Sequence, residues 1–199
     1  EASTFSFSAI MIGWLGVVEL AAHQVVTTIS LLFFLLLQGL SFAVSILVSN
    51  SCGKKYFDGV RKYTKKGFLM MLTISATLSA LLYIFRFPAA GIFTDSTEVA
   101  SIAVSLFFLL FAYQFGDGLQ LCYACVPRGI QDLNPIMYAA FIRYYLVAIP
   151  CSYCLGFKAG LGIHGIWLGF PIGLTLAGIF FYLRYRYDMH RMSSGVAMK

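Results

Sequence analysis

Charge is what this chain has least of. Fourteen Lys and Arg and eight Asp and Glu make up 11% of 199 residues, against about a quarter in an ordinary soluble domain. The stretch from Val25 to Cys52 holds no charge at all. Such sequence cannot clothe a water-facing surface, which excludes an ordinary soluble globule. Catalytic signatures are missing too. No Ser/His/Asp set, no paired catalytic carboxylates and no HExxH occur, so nothing recommends an enzyme. Near the start there is no basic n-region and no small-residue cleavage site, so no signal peptide is read. The first residue is Glu1, and apolar sequence begins almost at once. We read the chain as a fragment that starts inside a helix, with sequence missing upstream.

Apolar residues fill the space that charge leaves. They amount to 60% of the chain and gather in blocks. A membrane span takes about 20 mainly apolar residues, and a helix satisfies its own backbone hydrogen bonds there. The predicted fold is therefore all-α, a polytopic membrane protein with six transmembrane helices. They are placed near residues 2–18, 22–49, 68–85, 99–124, 135–157 and 161–183. Asp95 with Glu98 fits a capping box before the fourth helix. Asn134-Pro135 fits a cap and first-turn proline for the fifth. Pro150 and Pro171 fall inside spans, where kinks are tolerated.

Basic residues set the orientation. Lys54, Lys55, Arg61, Lys62, Lys65 and Lys66 lie in one loop; Arg128, Arg143, Arg184, Arg186, Arg191 and Lys199 fall on the same side if helices alternate. Only Arg86 and Lys158 lie opposite. The positive-inside rule then places the 54–67 loop and the C-terminus in the cytoplasm of a plasma or inner membrane. Tyr56, Val60 and Tyr63 recur at helical spacing in that loop, which predicts a short amphipathic helix with its lysines toward lipid headgroups. The net charge of +6 is explained by this asymmetry, so no nucleic acid is expected as a partner.

Two patterns resemble cofactor sites. Cys122-x-x-Cys125 with Cys151-x-x-Cys154 has the form of a metal site, but both pairs fall in or beside apolar helices; cysteine there reads as a small apolar residue. No metal or other cofactor is expected. Gly160 to Gly165 matches GxGxxG without the strand that a dinucleotide site needs. It reads as a tight turn and close helix packing. His23 and His164 each stand alone near a membrane interface, as structural residues or as proton relays.

Asp117 is different. Apolar sequence runs from Val99 to Leu110 before it and largely from Leu119 to Val126 after it. A carboxylate inside a span costs several kcal/mol unless paired, protonated or hydrated, and so marks a functional site. Tyr113, Gln114, Gln120, Leu121 and Ala124 share its helix face. A phenol and two amides around a carboxylate suit a cation site, with Gln114 and Gln120 lining a cavity and Na+ possible at Asp117. Two plainer readings stand beside this one. The span ends near Gly116 and Asp117 is interfacial, or the face is a polar seam between helices.

Five stretches in register resemble the multidrug and toxic-compound extrusion (MATE) family. They are Leu20 to Gln24 (LAAHQ), Gln38 to Ala43 (QGLSFA), Tyr113 to Gln120 (YQFGDGLQ), Arg128 to Asp132 (RGIQD) and Gly160 to Gly169 (GLGIHGIWLG). Their order and spacing are those of helices seven to twelve of that family. The resemblance implies that residues 1–199 are the C-terminal lobe of a two-lobe, twelve-helix antiporter. It implies exchange of H+ or Na+ for small organic cations, the missing N-terminal lobe as partner, membrane lipid around it, and a monomer when complete. It also implies cation-coupling roles for Asp117 and Glu1, with Tyr113 beside them. Coupling through an N-lobe aspartate, used by one subset of the family, falls outside the chain, which leaves the ion open. Two alternatives remain: a lipid-linked oligosaccharide flippase of the same superfamily, for which Arg143 is the cationic candidate, and a non-transporting membrane scaffold.

Overall fold

A computed structural model describes residues 2–129 and 134–193. Glu1 and Asp132 therefore lie outside the described residues. The chain order is α1 (Ala2–Gly13), α2 (Val17–Gly53), α3 (Phe57–Ile84), short α4 (Arg86–Gly91) and α5 (Thr97–Gly129). Next comes a rod that alternates α and π turns: α6 (Asn134–Phe141), a π-helical segment Ile142–Ala148, α7 (Ile149–Tyr153) and a second π-helical segment Cys154–Lys158. The last element is α8 (Gly162–Ser193). Among the described residues, five helical stretches are long and apolar enough to cross a membrane. α1 has 12 residues, fewer than the ~20 a span requires.

α5 is the axis of the bundle. It packs most extensively on α2 and α8, and also on α3. Its inward stripe of Ala103, Leu106, Leu110 and Tyr113 joins Val26 and Ile29 of α2 and Trp167 and Phe170 of α8 in the main core. Large apolar side chains also point outward: Leu31, Leu32, Leu35 and Leu36 of α2, and Phe108, Phe111 and Phe115 of α5, are exposed. Ser41, Gln114, Asp117, Arg143 and Ser152 are buried. An apolar exterior around buried polar groups is what a bilayer favours as solvent.

Several expected boundaries move. The first break falls at Trp14-Leu15-Gly16, not near residue 20. The 54–66 segment is no separate amphipathic helix: Lys54 and Lys55 turn the chain and the rest opens α3. The six basic residues nevertheless all lie exposed, while Val60 packs with Val48, Val126 and Met189. Ser96, not Asp95, stands immediately before α5; its carbonyl accepts from Ala100 N–H at 3.0 Å, and its own N–H donates to Thr94 Oγ1 at 3.2 Å. α5 runs on through Pro127, so Arg128 lies in its last helical turn and not in a loop. α8 extends past Leu183 and carries Arg184, whose Nε donates to Asp188 Oδ2 at 3.2 Å. Gly160 and Gly162, at φ 71° and 56°, make the turn into α8.

Candidate functional site

α5 carries Asp117 well inside the bundle. Twenty residues separate it from Thr97 and twelve from Gly129, or about 30 Å and about 18 Å at ~1.5 Å per residue. Its side chain is 0% exposed. The helix runs on past Gly116, and Asp117 is buried among other helices. One turn earlier, Tyr113 is buried in an aromatic cluster: its ring centroid is 6.4 Å from those of Phe5 and Phe170, which are themselves 5.4 Å apart. One turn later, Gln120, Leu121 and Ala124 face a cavity.

That cavity has a volume of about 220 Å³ and lies between α2, α5, the α6 rod and α8. Its polar wall comes from Gln38, Gln120, Arg128, Arg143 and Tyr144. The Oε1 atoms of Gln38 and Gln120 are buried and meet no donor among the described residues. Arg128 Nη1 donates to Ser41 Oγ at 3.2 Å, and Ser41 donates in turn to the Leu121 carbonyl at 2.8 Å. Toward Tyr113 a second, much smaller space of about 10 Å³ is lined by Phe5, Tyr113, Arg143, Tyr144 and Phe170. Arg143 and Tyr144 border both.

The expected polar face of α5 therefore divides. Tyr113 joins the aromatic cluster and Gln120 lines the cavity, with Asp117 buried between them on the helix. Gln114 does not line that cavity. It turns toward α3, beside Phe68, Leu72 and Ser75, and Ser75 Oγ donates to its backbone carbonyl at 3.4 Å. The turn of a helix, 100° per residue, separates neighbours 113 and 114 enough to send them to different partners.

Arg143 is the residue that hydropathy misplaces. Counted by sequence with the cytoplasmic charges, it is 4% exposed inside the bundle. Its guanidinium carbon lies 3.7 Å from the ring centroid of Tyr144. An isolated arginine two turns beyond a helix start was the available signal. Arg128, likewise grouped by sequence with the cytoplasmic charges, borders the cavity too.

The remaining candidates sit elsewhere. His23 is buried, edge-on to Trp167 at 5.6 Å, with its Nδ1 3.5 Å from Thr27 Oγ1. Exposed His164 places Nε2 2.8 Å from Ser105 Oγ. Cys122 and Cys125 are buried free thiols on α5, and the Cys122 thiol points at the Thr64 carbonyl at 3.6 Å. Cys151 is half-buried and Cys154 exposed.

Residues 1–154 match the MatE family. The chain is 34% identical over 183 residues to the multidrug resistance protein NorM of Aliivibrio fischeri, covering 90% of this chain and 40% of that protein. It thus spans about two fifths of the length of such relatives. The fold superposes on an outward-facing multidrug resistance MATE family transporter with a TM-score of 0.88 at 17% identity, covering 97% of this chain and 43% of the other. An inward-facing multidrug resistance MATE family transporter gives 0.86 at 18% identity, covering 98% and 44%.

Proposed function

The chain belongs to the MatE family, and from that premise we propose that it supplies one six-helix lobe of a cation-coupled exporter of small organic cations. The chain is an integral, multi-pass membrane protein. Asp117, fully buried one turn from residues that line a cavity, carries the proposal. A carboxylate in that position is favoured by a proton, a metal ion or another cation. A proton or Na+ and an organic cation can each meet that need, and compete for it. If one is taken up from each side of the membrane, with lobes rocking between, the outcome is exchange. The similar match to outward- and inward-facing transporters supports this lobe moving as a body.

Tyr113 and the Phe5–Phe170 pair offer π faces to an organic cation one turn from Asp117. Glu1 is proposed as a second acidic group from the first helix, and a second six-helix lobe as the partner that closes the cavity in a monomer. Basic side chains at 54–66 and on α8 support an orientation with that face and the C-terminus in the cytoplasm, at the plasma or inner membrane. The scaffold reading needs Asp117 among lipid headgroups, and its burial counts against that. The flippase reading gains one observation, since two arginines, Arg128 and Arg143, border the cavity and suit a pyrophosphate.

Efflux of a fluorescent organic cation from cells expressing the full-length protein separates these readings. For the exporter, Asp117→Asn abolishes efflux at unchanged expression. Undiminished efflux by Asp117→Asn removes the carboxylate from the mechanism. A flippase instead tolerates Asp117→Asn and loses activity in Arg128→Gln.

A further inference from the structure

Gln114 faces α3 and is 1% exposed. Both polar atoms of its side-chain amide, Nε2 and Oε1, are buried and meet no hydrogen-bond partner among the described residues. Burying an amide without partners is costly. Inside a bilayer, bulk water is not at hand to relieve it.

The amide borders a small pocket between α3 and α5. Ser75 and Gly118 line it with Gln114, and Phe68, Leu72 and Phe115 wall it in. Its free space is about 10 Å³, close to the ~10–15 Å³ that one buried water requires. None of the lining residues carries a charge, so nothing there offsets an ion. Two small residues keep the space open. A Cβ at Gly118 would stand 3.8 Å from Ser75 Oγ, so glycine leaves room between the helices. Ser75 is 5% exposed, and its hydroxyl donates to the Gln114 carbonyl at 3.4 Å. The hydroxyl oxygen keeps its capacity to accept.

We propose that this pocket is a binding site for one water molecule, which bridges α3 and α5. The water accepts from Gln114 Nε2, donates one hydrogen to Gln114 Oε1 and donates the other to Ser75 Oγ. Three bonds are what a buried water typically makes. The chemistry selects water over other occupants. A sodium ion accepts no hydrogen bond and would leave Nε2 unserved, and an apolar filler would leave both amide atoms unserved. A water-mediated bond is nearly as good as a direct one, so the bridge is a polar tie between two spans. It lies on a different face of α5 from Gln120, and it does not depend on which solute the protein moves.

The test has two arms, both on the purified full-length protein. A high-resolution density map should show a peak about 2.7–3.2 Å from the Gln114 amide and from Ser75 Oγ. The second arm fills the pocket with Gly118→Ala. The added methyl makes ordinary contact with Ser75, so a dry pocket gives a rise in Tm of about 2–4 °C from helix propensity. A hydrated pocket gives a fall of about 2–4 °C, because the expelled water leaves the amide unserved. In a Gln114→Leu background no amide needs the water, and Gly118→Ala should raise Tm there. Gln114→Met provides the same background if Gln114→Leu fails to fold. A map that resolves other buried waters and shows no peak here overturns the site. So does a rise in Tm for Gly118→Ala in the parent, or an equal fall in both backgrounds, which reports steric overlap alone.

Discussion

Replacing Gly165 by alanine should loosen α8 from the rod that carries Arg143. A Cβ at Gly165 would lie only 2.7 Å from Gly156 N and closer still to the Leu155 carbonyl carbon and oxygen. All three are backbone atoms, so no rotamer change relieves the clash. Ordinary contact between carbon atoms is about 3.5–4.0 Å, so α8 must withdraw by roughly 1 Å. Overpacking of this kind costs about 1–3 kcal/mol, and a backbone clash belongs at the upper end. Alanine returns up to about 1 kcal/mol through helix propensity. The net loss is about 2 kcal/mol, or a drop of about 4–8 °C in Tm for a chain of this size. Gly39 provides the control, for a Cβ there meets nothing within 4 Å. Gly39→Ala should keep the propensity gain and raise Tm by about 2–4 °C. Size-exclusion profiles after heating in detergent would measure both. A Gly165→Ala protein that melts with or above the parent would refute the claim that backbone contact sets this helix spacing.

Named contacts and loop charges support two further outcomes. Ser41→Ala removes a buried donor to the Leu121 carbonyl and an acceptor for Arg128; it should cost about 1.5 kcal/mol and lower Tm by about 3–6 °C in the same assay, and an unchanged Tm would mean that neither bond matters to folding. In a cysteine-free background, an impermeant maleimide on intact cells should label cysteine at position 158 and spare one at 54; the reverse pattern would invert the proposed orientation.

Much of the fold was legible because a bilayer enforces simple rules. The charge-free run from Val25 to Cys52 announced α2, and Gly160-Leu-Gly162 marked the turn into α8 with two positive φ angles. Helix ends were less legible. Positions such as Lys54–Lys66 and Pro127-Arg128 look like loop sequence when a span is defined by hydropathy, yet a helix does not stop where the hydrocarbon does. α3 and α5 carry their helical hydrogen bonding past it, and their polar ends pack on one another through Val60 and Val126. Asp117 stood out because a carboxylate inside an apolar run is costly unless its neighbours pair, protonate or hydrate it, so a functional role is the first expectation. Gln114 was not: a helical wheel groups it with Tyr113, and only the position of α3, with Ser75 at its carbonyl, shows that it looks away.

Arg143 shows why the remainder of the site stayed hidden. Reading a face from sequence assumes 100° per residue, and this holds through α5. The rod after Asn134 breaks the assumption twice, at Ile142–Ala148 and at Cys154–Lys158. Each π-helical segment shifts the phase of the residues beyond it, so a wheel drawn through the whole span misassigns residues on one side or the other. Pro150 offers a local reason for the first, since it cannot donate a backbone hydrogen bond within the rod. Across the rod, α8 answers with Gly165, Gly169 and Gly173, spaced four apart. Cβ atoms there would meet backbone of Leu155 and Gly156, of Ser152 and Ala148, and of Arg143. Ser152 Oγ adds a bond to the Ile166 carbonyl at 2.9 Å. The glycine spacing was visible in the sequence. What it grips was not, because the partner helix is out of α-register where Arg143 enters the bundle. The same contacts that would register as loss of stability in Gly165→Ala thus hold the rod that carries Arg143 against α8, and its place in the bundle is set by one row of missing side chains.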